Sequence, residues 1–349
     1  MKPKDRDMVE TRDGLMFVVV GYLHPPGRVT AYLKYVPTSE GKWGRGDTRY
    51  TRTLPYYHVT QVENTYLYLR RSHPGYLYDC PVRNITVSCV PLGDVKEYYH
   101  PVERMDSLIT DGPSDPLEEK LIGLVGYLGE SADVEGKIGV TGSILTRSHN
   151  PAFSDMDLTV YGRSESLRVK EAILEARREG VVRPHDGGEM DAWVRQRSEK
   201  LPLSEKELRR VASTRWNYGF YRGTYFSIHP TRTDDEITES YGDYVYRQLG
   251  EVGGTAVVED ASESIYLPAV YGVTDSNLVN RDEGISMIVS YEGVYGGLFA
   301  EGEKVEFRGI LEKYRGKTEG HRVVLGGAGS TGGYVKWASP PGRASTSRR

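Results

Sequence analysis

Two aspartates, Asp155 and Asp157, follow a Gly-Ser pair, Gly142-Ser143, within Ile138-Gly-Val-Thr-Gly-Ser-Ile-Leu145 and Phe153-Ser-Asp-Met-Asp-Leu-Thr-Val-Tyr161. The stretch reads as strand, tight turn, short helix or loop around Asn150-Pro151, and second strand. Strand side chains alternate between faces, so Asp155 and Asp157 share one face while Met156, Leu158 and Val160 point into a core. Paired carboxylates so placed suit a hard cation such as Mg2+, which takes oxygen ligands from carboxylates, phosphates and water. That ion activates a hydroxyl and stabilises a departing pyrophosphate. Gly142 permits a close backbone turn, and the amide and hydroxyl of Ser143 then suit a triphosphate. The alternative is that the aspartates are the solvent face of an edge strand, since Asp is exposed by default.

Other polar residues offer weaker signals. Arg147, Ser148 and His149, between turn and strand, either reach phosphates or form an exposed loop. Arg215, Arg222 and Arg232, with Trp216, Tyr218 and Tyr225, flank a later strand and suit base stacking and phosphate binding, although tyrosines this abundant are commonly core. The basic, Gly-rich Gly41–Arg52 segment suits phosphate and base or is a solvated hairpin loop. Gly327–Gly332 fits a dinucleotide fingerprint formally, but a strand follows it and the required acidic residue does not, so it reads as a turn. His185, Asp186 and Glu189 read as solvated surface.

Around these residues the expected organisation is α+β. Residues 1–110 read as a β-rich N-terminal domain, with a hairpin from Leu15–Leu23 and Val29–Val36 and one more strand near Ile85–Pro91. Residues 111–250 read as the catalytic domain. Its first helix is capped by Asp115 with Pro116 behind it, and Leu117, Leu121, Leu124, Val125 and Leu128 form its apolar face. A second helix spans Ser164–Arg178, and a third begins at a Ser204/Glu207 capping box with Leu203 stapled to Leu208. The strand Thr224–His229 then ends at Pro230. Residues 251–337 read as a small antiparallel, OB-like barrel, and 338–349 as a disordered tail.

The bulk properties narrow the partners. The net charge of −4 conceals 17 acidic and 5 basic residues over 231–312, against 8 basic and 1 acidic over 313–349. An acidic block does not track a phosphate backbone, so a polynucleotide would approach elsewhere. No apolar run spans a bilayer and no signal peptide opens the chain, which points to a cytoplasmic protein without a membrane role. Cys80 and Cys89 lack metal-ligand spacing and read as free thiols, with a disulfide as the minor alternative.

Val140-Thr-Gly-Ser143 followed by Ser154-Asp-Met-Asp-Leu158 resembles the signature of DNA polymerase beta superfamily nucleotidyltransferases, and the fuller phrases resemble an archaeal group of predicted nucleotidyltransferases. The resemblance implies a central mixed sheet with helices and transfer of a nucleoside monophosphate from an NTP to a hydroxyl on RNA, protein or a small molecule. Asp155 and Asp157 would be catalytic and hold Mg2+. Gly142, Ser143, Arg147 and Ser154 would bind the nucleotide. Members usually carry a third carboxylate on a later strand. Ser227 and His229 take the inward positions here, leaving Asp234, Asp235 or Glu236 to substitute from a loop. The alternative is a nucleotide- or RNA-binding platform without turnover.

Overall fold

The computed structural model describes residues 2–52, 59–326 and 332–338. Its N-terminal strands are β1 (Met8–Thr11), β2 (Met16–Val19), β3 (Arg28–Thr38), β4 (Trp43–Arg45) and β5 (Thr48–Arg52), followed by helix α1 (Val59–Ser72), β6 (Leu77–Cys80), β7 (Ile85–Pro91) and β8 (Val95–Tyr99). They form one sheet in the order β4-β5-β3-β2-β1-β8, with β7 also paired to β3 and β6 to β7. β2 and β3 make the expected antiparallel hairpin. The Gly41–Arg52 segment forms a hairpin of its own, β4 against β5, and α1 is an addition to the β-rich expectation. Cys80 and Cys89 are free and buried.

The central sheet runs β11-β12-β13-β10-β9. Its parts are α2 (Pro101–Asp111), α3 (Pro116–Ala132), β9 (Ile138–Thr141), α4 (Gly142–Leu145), β10 (Met156–Tyr161), α5 (Arg163–Arg178), β11 (Val182–Arg183), α6 (Gly187–Ser198), α7 (Glu205–Thr214), β12 (Tyr218–Tyr221) and β13 (Thr224–Thr231). β10 lies parallel to β13 and antiparallel to β9. Asp115 caps α3 by accepting from the Leu117 and Glu118 amides, and the Ser204/Glu207 capping box opens α7. The five apolar residues of α3 are buried against the sheet and α5. α2 begins inside the segment expected to be N-terminal, yet its Met105 and Leu108 belong to this same core.

Pro230 does not end β13; it lies inside the strand, opposite Val160 of β10. Ile228 donates its N–H to Asn217, on the β12 side. Two residues on, the proline nitrogen points the same way at a level where β12 has not begun, so its missing N–H costs no ladder bond.

The C-terminal strands are β14 (Tyr244–Asp260), β15 (Ala269–Leu278), β16 (Met287–Ser290), β17 (Lys304–Gly316), β18 (Glu319–Leu325) and β19 (Tyr334–Trp337). The sheet runs β14-β15-β16-β18-β17-β19 and curls until β14 also pairs with β17. It departs from an all-antiparallel arrangement, because β16 and β18 are parallel. β14 starts before the boundary expected at residue 251. α6 and α7 come from the central segment, but Val194, Leu208 and Val211 pack into the core of this curled sheet. Residues 327–331 of the Gly-rich segment, and the tail from 339 onward, lie outside the described residues. No helix among the described residues is long and apolar enough to cross a membrane.

Candidate functional site

β10 sorts its side chains as the alternation requires. Met156, Leu158 and Val160 are fully buried in the central core, and Asp155 and Asp157 face the opposite way, into a cavity. Gly142 turns at φ +70, and a Cβ there would lie 2.7 Å from Asp157 Oδ2. A side chain is thus excluded twice, by the left-handed backbone and by the carboxylate.

Across the sheet, Asp157 pairs with Thr141 of β9 on one side and Ser227 of β13 on the other. Ser227 Oγ donates to Asp157 Oδ1 at 2.5 Å and lies 2.9 Å from His229 Nε2. A serine therefore stands where a third carboxylate would face the pair. The loop acids do not replace it: Asp234 pairs with Lys4 at 2.6 Å, Glu236 accepts from the Arg163 and Thr233 amides, and Asp235 is exposed.

The cavity measures about 550 Å³ and is walled by all three parts of the chain. The N-terminal segment contributes Arg6, before β1, and Lys34 and Arg52 from its sheet; the central segment adds Arg197, Arg215 and Tyr218; the curled sheet adds Glu312 and Arg322. Asp155 reaches solvent, but desolvation by the cavity wall, and then the neighbouring Asp157, push its carboxyl up to about 6 against the pull of Arg52 and Lys34. Desolvation pushes Lys34 down to about 8, while Asp157 works in the other direction. Burial, reinforced by Arg6, Arg215 and Lys34, holds His229 well below the usual range, so it is neutral near pH 7.

Lys34 and Arg6 were absent from the sequence-based candidates. The alternation of β3 carries a signal for Lys34: Ala31, Leu33 and Tyr35 are buried on one face, which turns Tyr32 and Lys34 to the other. Nothing local marks Arg6, which reaches the cavity through tertiary packing.

The remaining candidates divide. Ser143 is buried behind Gly142, with its carbonyl accepting from the Ser148 amide. Ser154 is also buried, and its hydroxyl accepts from the Asn150 amide at 2.9 Å, which shapes the approach to Asp155. Arg147 is exposed and outside the cavity lining. Ser148 bonds Thr146, and His149 turns away to Asp115 Oδ2 at 2.7 Å. Asp115, Glu118 and His149 cluster closely, but Arg104 occupies Glu118 at 2.6 Å and donates to the Ile144 carbonyl. The cluster is a hydrogen-bonded brace behind the Gly-Ser turn.

Of the later arginine and aromatic set, Arg215 and Tyr218 line the cavity. Trp216 belongs to the core, Arg222 is exposed at the β12–β13 turn, and Arg232 pairs with Glu263 between the rings of Tyr22 and Tyr266. His185 packs on Phe220 and Tyr225, while Glu189 pairs with Arg183.

The chain is 30% identical over 333 residues to the uncharacterized protein MJ1086 of Methanocaldococcus jannaschii, an alignment spanning 93% of this chain and 96% of that protein. No family model matches the chain. No solved structure matches it.

Proposed function

The chain belongs to the family of that archaeal protein, and for it we propose a magnesium-dependent nucleotidyltransferase that moves a nucleoside monophosphate from an NTP to a hydroxyl acceptor. One observation carries this reading: the Asp155/Asp157 pair faces a cavity beside Gly142 that Arg6, Lys34 and Arg52 also line. Carboxylates for a cation and cations for phosphates then share one space. The central sheet, with β10 parallel to β13 and antiparallel to β9, is compatible with the mixed sheet of the polymerase beta superfamily. We read the curled C-terminal sheet as an OB barrel from its ring order, a fold that presents binding faces elsewhere.

Asp155 and Asp157 are the residues that would hold magnesium. They fit it: desolvation and the neighbouring Asp157 raise the cost of ionising Asp155, which a cation would offset, and Ser227 occupies only Oδ1 of Asp157. When bound, the ion supplies positive charge that acidifies the acceptor hydroxyl and stabilises the leaving pyrophosphate. Lys34, Arg52 and Arg6 neutralise the triphosphate. The acceptor oxygen forms a bond to the α-phosphorus, the bond from that phosphorus to the α,β-bridging oxygen breaks, pyrophosphate leaves with that oxygen, and the hydroxyl proton is released to solvent. The Ser227–His229 pair keeps Asp157 oriented without adding charge, because His229 is neutral.

Calorimetric titration of each NTP, with magnesium and with EDTA, tests the reading on the native chain and the Asp155→Asn/Asp157→Asn variant. Magnesium-dependent binding that disappears in the variant is expected. Binding and turnover that survive both substitutions would sink the proposal.

Ser227 opposite Asp157 favours a second reading, a nucleotide- or RNA-binding platform without turnover. That reading expects affinity to persist in EDTA and in the double variant.

A further inference from the structure

Thr141, Asp157, Ser227 and Tyr218 stand in register across four neighbouring strands. Thr141 leads directly into Gly142-Ser143, so the carboxylates lie between the Gly-Ser turn on one side and Tyr218 on the other. With strands about 4.8 Å apart, Tyr218 is on the order of 10 Å across the sheet from Asp157.

Tyr218 carries Arg215, whose guanidinium carbon lies 3.6 Å from the ring centroid. Arg215 is only 8% exposed. Its Nε has no hydrogen-bond partner, and its side chain makes one long hydrogen bond, 3.4 Å to the Gly293 carbonyl. Arg197, in the last turn of α6, lines the same cavity. Burial, and then the like charge of Arg215, push the Arg197 guanidinium down, against the pull of Tyr218, Tyr225 and Glu292. Neither Arg197 nor Arg215 forms an ion pair with any described residue.

Other half-buried arginines are matched in one of two ways: Arg177 donates to the carbonyls of Arg215, Trp216 and Tyr218 and Arg83 to that of Leu23, while a second group finds acids. Arg104, Arg232 and Arg322 each meet a carboxylate. Buried cations without a counter-charge are costly, and an anion between them removes that cost. Lys34 and Arg52 line the same cavity and are the cations the proposed function assigns to a triphosphate.

We propose that Arg197 and Arg215 form a second anion site, which holds the phosphate of a small phosphorylated acceptor on the side of Asp157 away from the Gly-Ser turn. The acceptor role rests on the nucleotidyltransferase reading; the anion site rests on the two arginines alone. A cavity of about 550 Å³ lies within the range of small-molecule sites, roughly 300–1,000 Å³. The span across the sheet suits a compound whose hydroxyl is several bonds from its phosphate.

Inorganic phosphate is the probe, titrated calorimetrically in EDTA into the full chain. The native protein and Asp155→Asn/Asp157→Asn should bind it comparably. Arg197→Gln should weaken binding by about tenfold or more, the scale of one charge-assisted hydrogen bond, and Arg197→Lys should recover part of it. Arg197 is the deciding variant because it is half-buried at a helix end, whereas Arg215 is packed into the wall; thermal melting checks that each variant folds. Phosphate-saturated protein should still bind magnesium and NTP. The proposal is overturned if Arg197→Gln leaves phosphate affinity unchanged, or if phosphate and NTP exclude one another, which would assign the arginines to the triphosphate. Absence of magnesium-dependent NTP binding, with phosphate still bound through Arg197, would overturn the transferase reading and leave the anion site standing.

Discussion

The surroundings of Asp155 favour its protonated form, whereas holding a cation requires the ionised one. With its carboxyl pushed up to about 6, the two demands give opposite pH dependences. The folded chain retains the Asp155 proton at pH values where the unfolded chain has released it, so this group's contribution to stability declines as pH rises through that window towards 6. Magnesium-dependent NTP binding should move the other way and be lost as pH falls. Between pH 7.5 and 5 we expect affinity to fall by about tenfold, the loss of ionised fraction for such a group. Titrations at several pH values check this, and a pH profile as steep in Asp155→Asn as in the native chain would refute the assignment. Gly142, Asp155 and Asp157 were legible because their spacing is local. Lys34 needed the face of β3 to be known, and Arg6 and the Ser227–Asp157 bond needed neighbours distant in sequence.

At the scale of elements, the ends of helices were the most legible features. Asp115 before Pro116, and Ser204 before Glu207, satisfy amides within their own first turns, so no tertiary knowledge is needed to place them. Asp115 does more than cap, because its other oxygen receives His149 from the loop that follows the Gly-Ser turn. Asp115→Ala should therefore cost about 1–2 kcal/mol, at the upper end for a lost cap. It should also weaken NTP binding, although Asp115 is outside the cavity lining. Urea unfolding gives the first quantity and calorimetry the second; an unchanged NTP affinity would show that the brace does not support the turn. Helices α2 and α6 were less legible, since their apolar faces are narrow and are completed by cores formed elsewhere in the chain.

Over the whole molecule, the site is a product of assembly. Trp43 of the β4–β5 hairpin meets Phe153 just before Asp155, and the Gly44 amide donates to the Ser148 carbonyl, so the N-terminal sheet sits directly on the loop between the Gly-Ser turn and Asp155. Arg232, held by Glu263 and flanked by Tyr22 and Tyr266, joins residues from all three regions. Arg232→Ala should lower stability by about 1–3 kcal/mol. Amide exchange should rise around residues 20–24 and 261–268 while the α3–β10 core keeps its protection. Uniform loss of protection would mean that Arg232 is not a local clasp. Such contacts join segments far apart in sequence, which is why the expected domain limits did not disclose them.

The packing of α6 and α7 into the C-terminal sheet also orders events during synthesis. The apolar faces carrying Val194, Leu208 and Val211 leave the ribosome before β14–β19, the strands that bury them. At roughly 5–20 residues per second, the remaining strands take on the order of ten seconds to emerge. During that interval the nascent chain presents a sticky helical pair with no core to join, so its most aggregation-prone moment comes with the central sheet complete and the C-terminal strands still being translated.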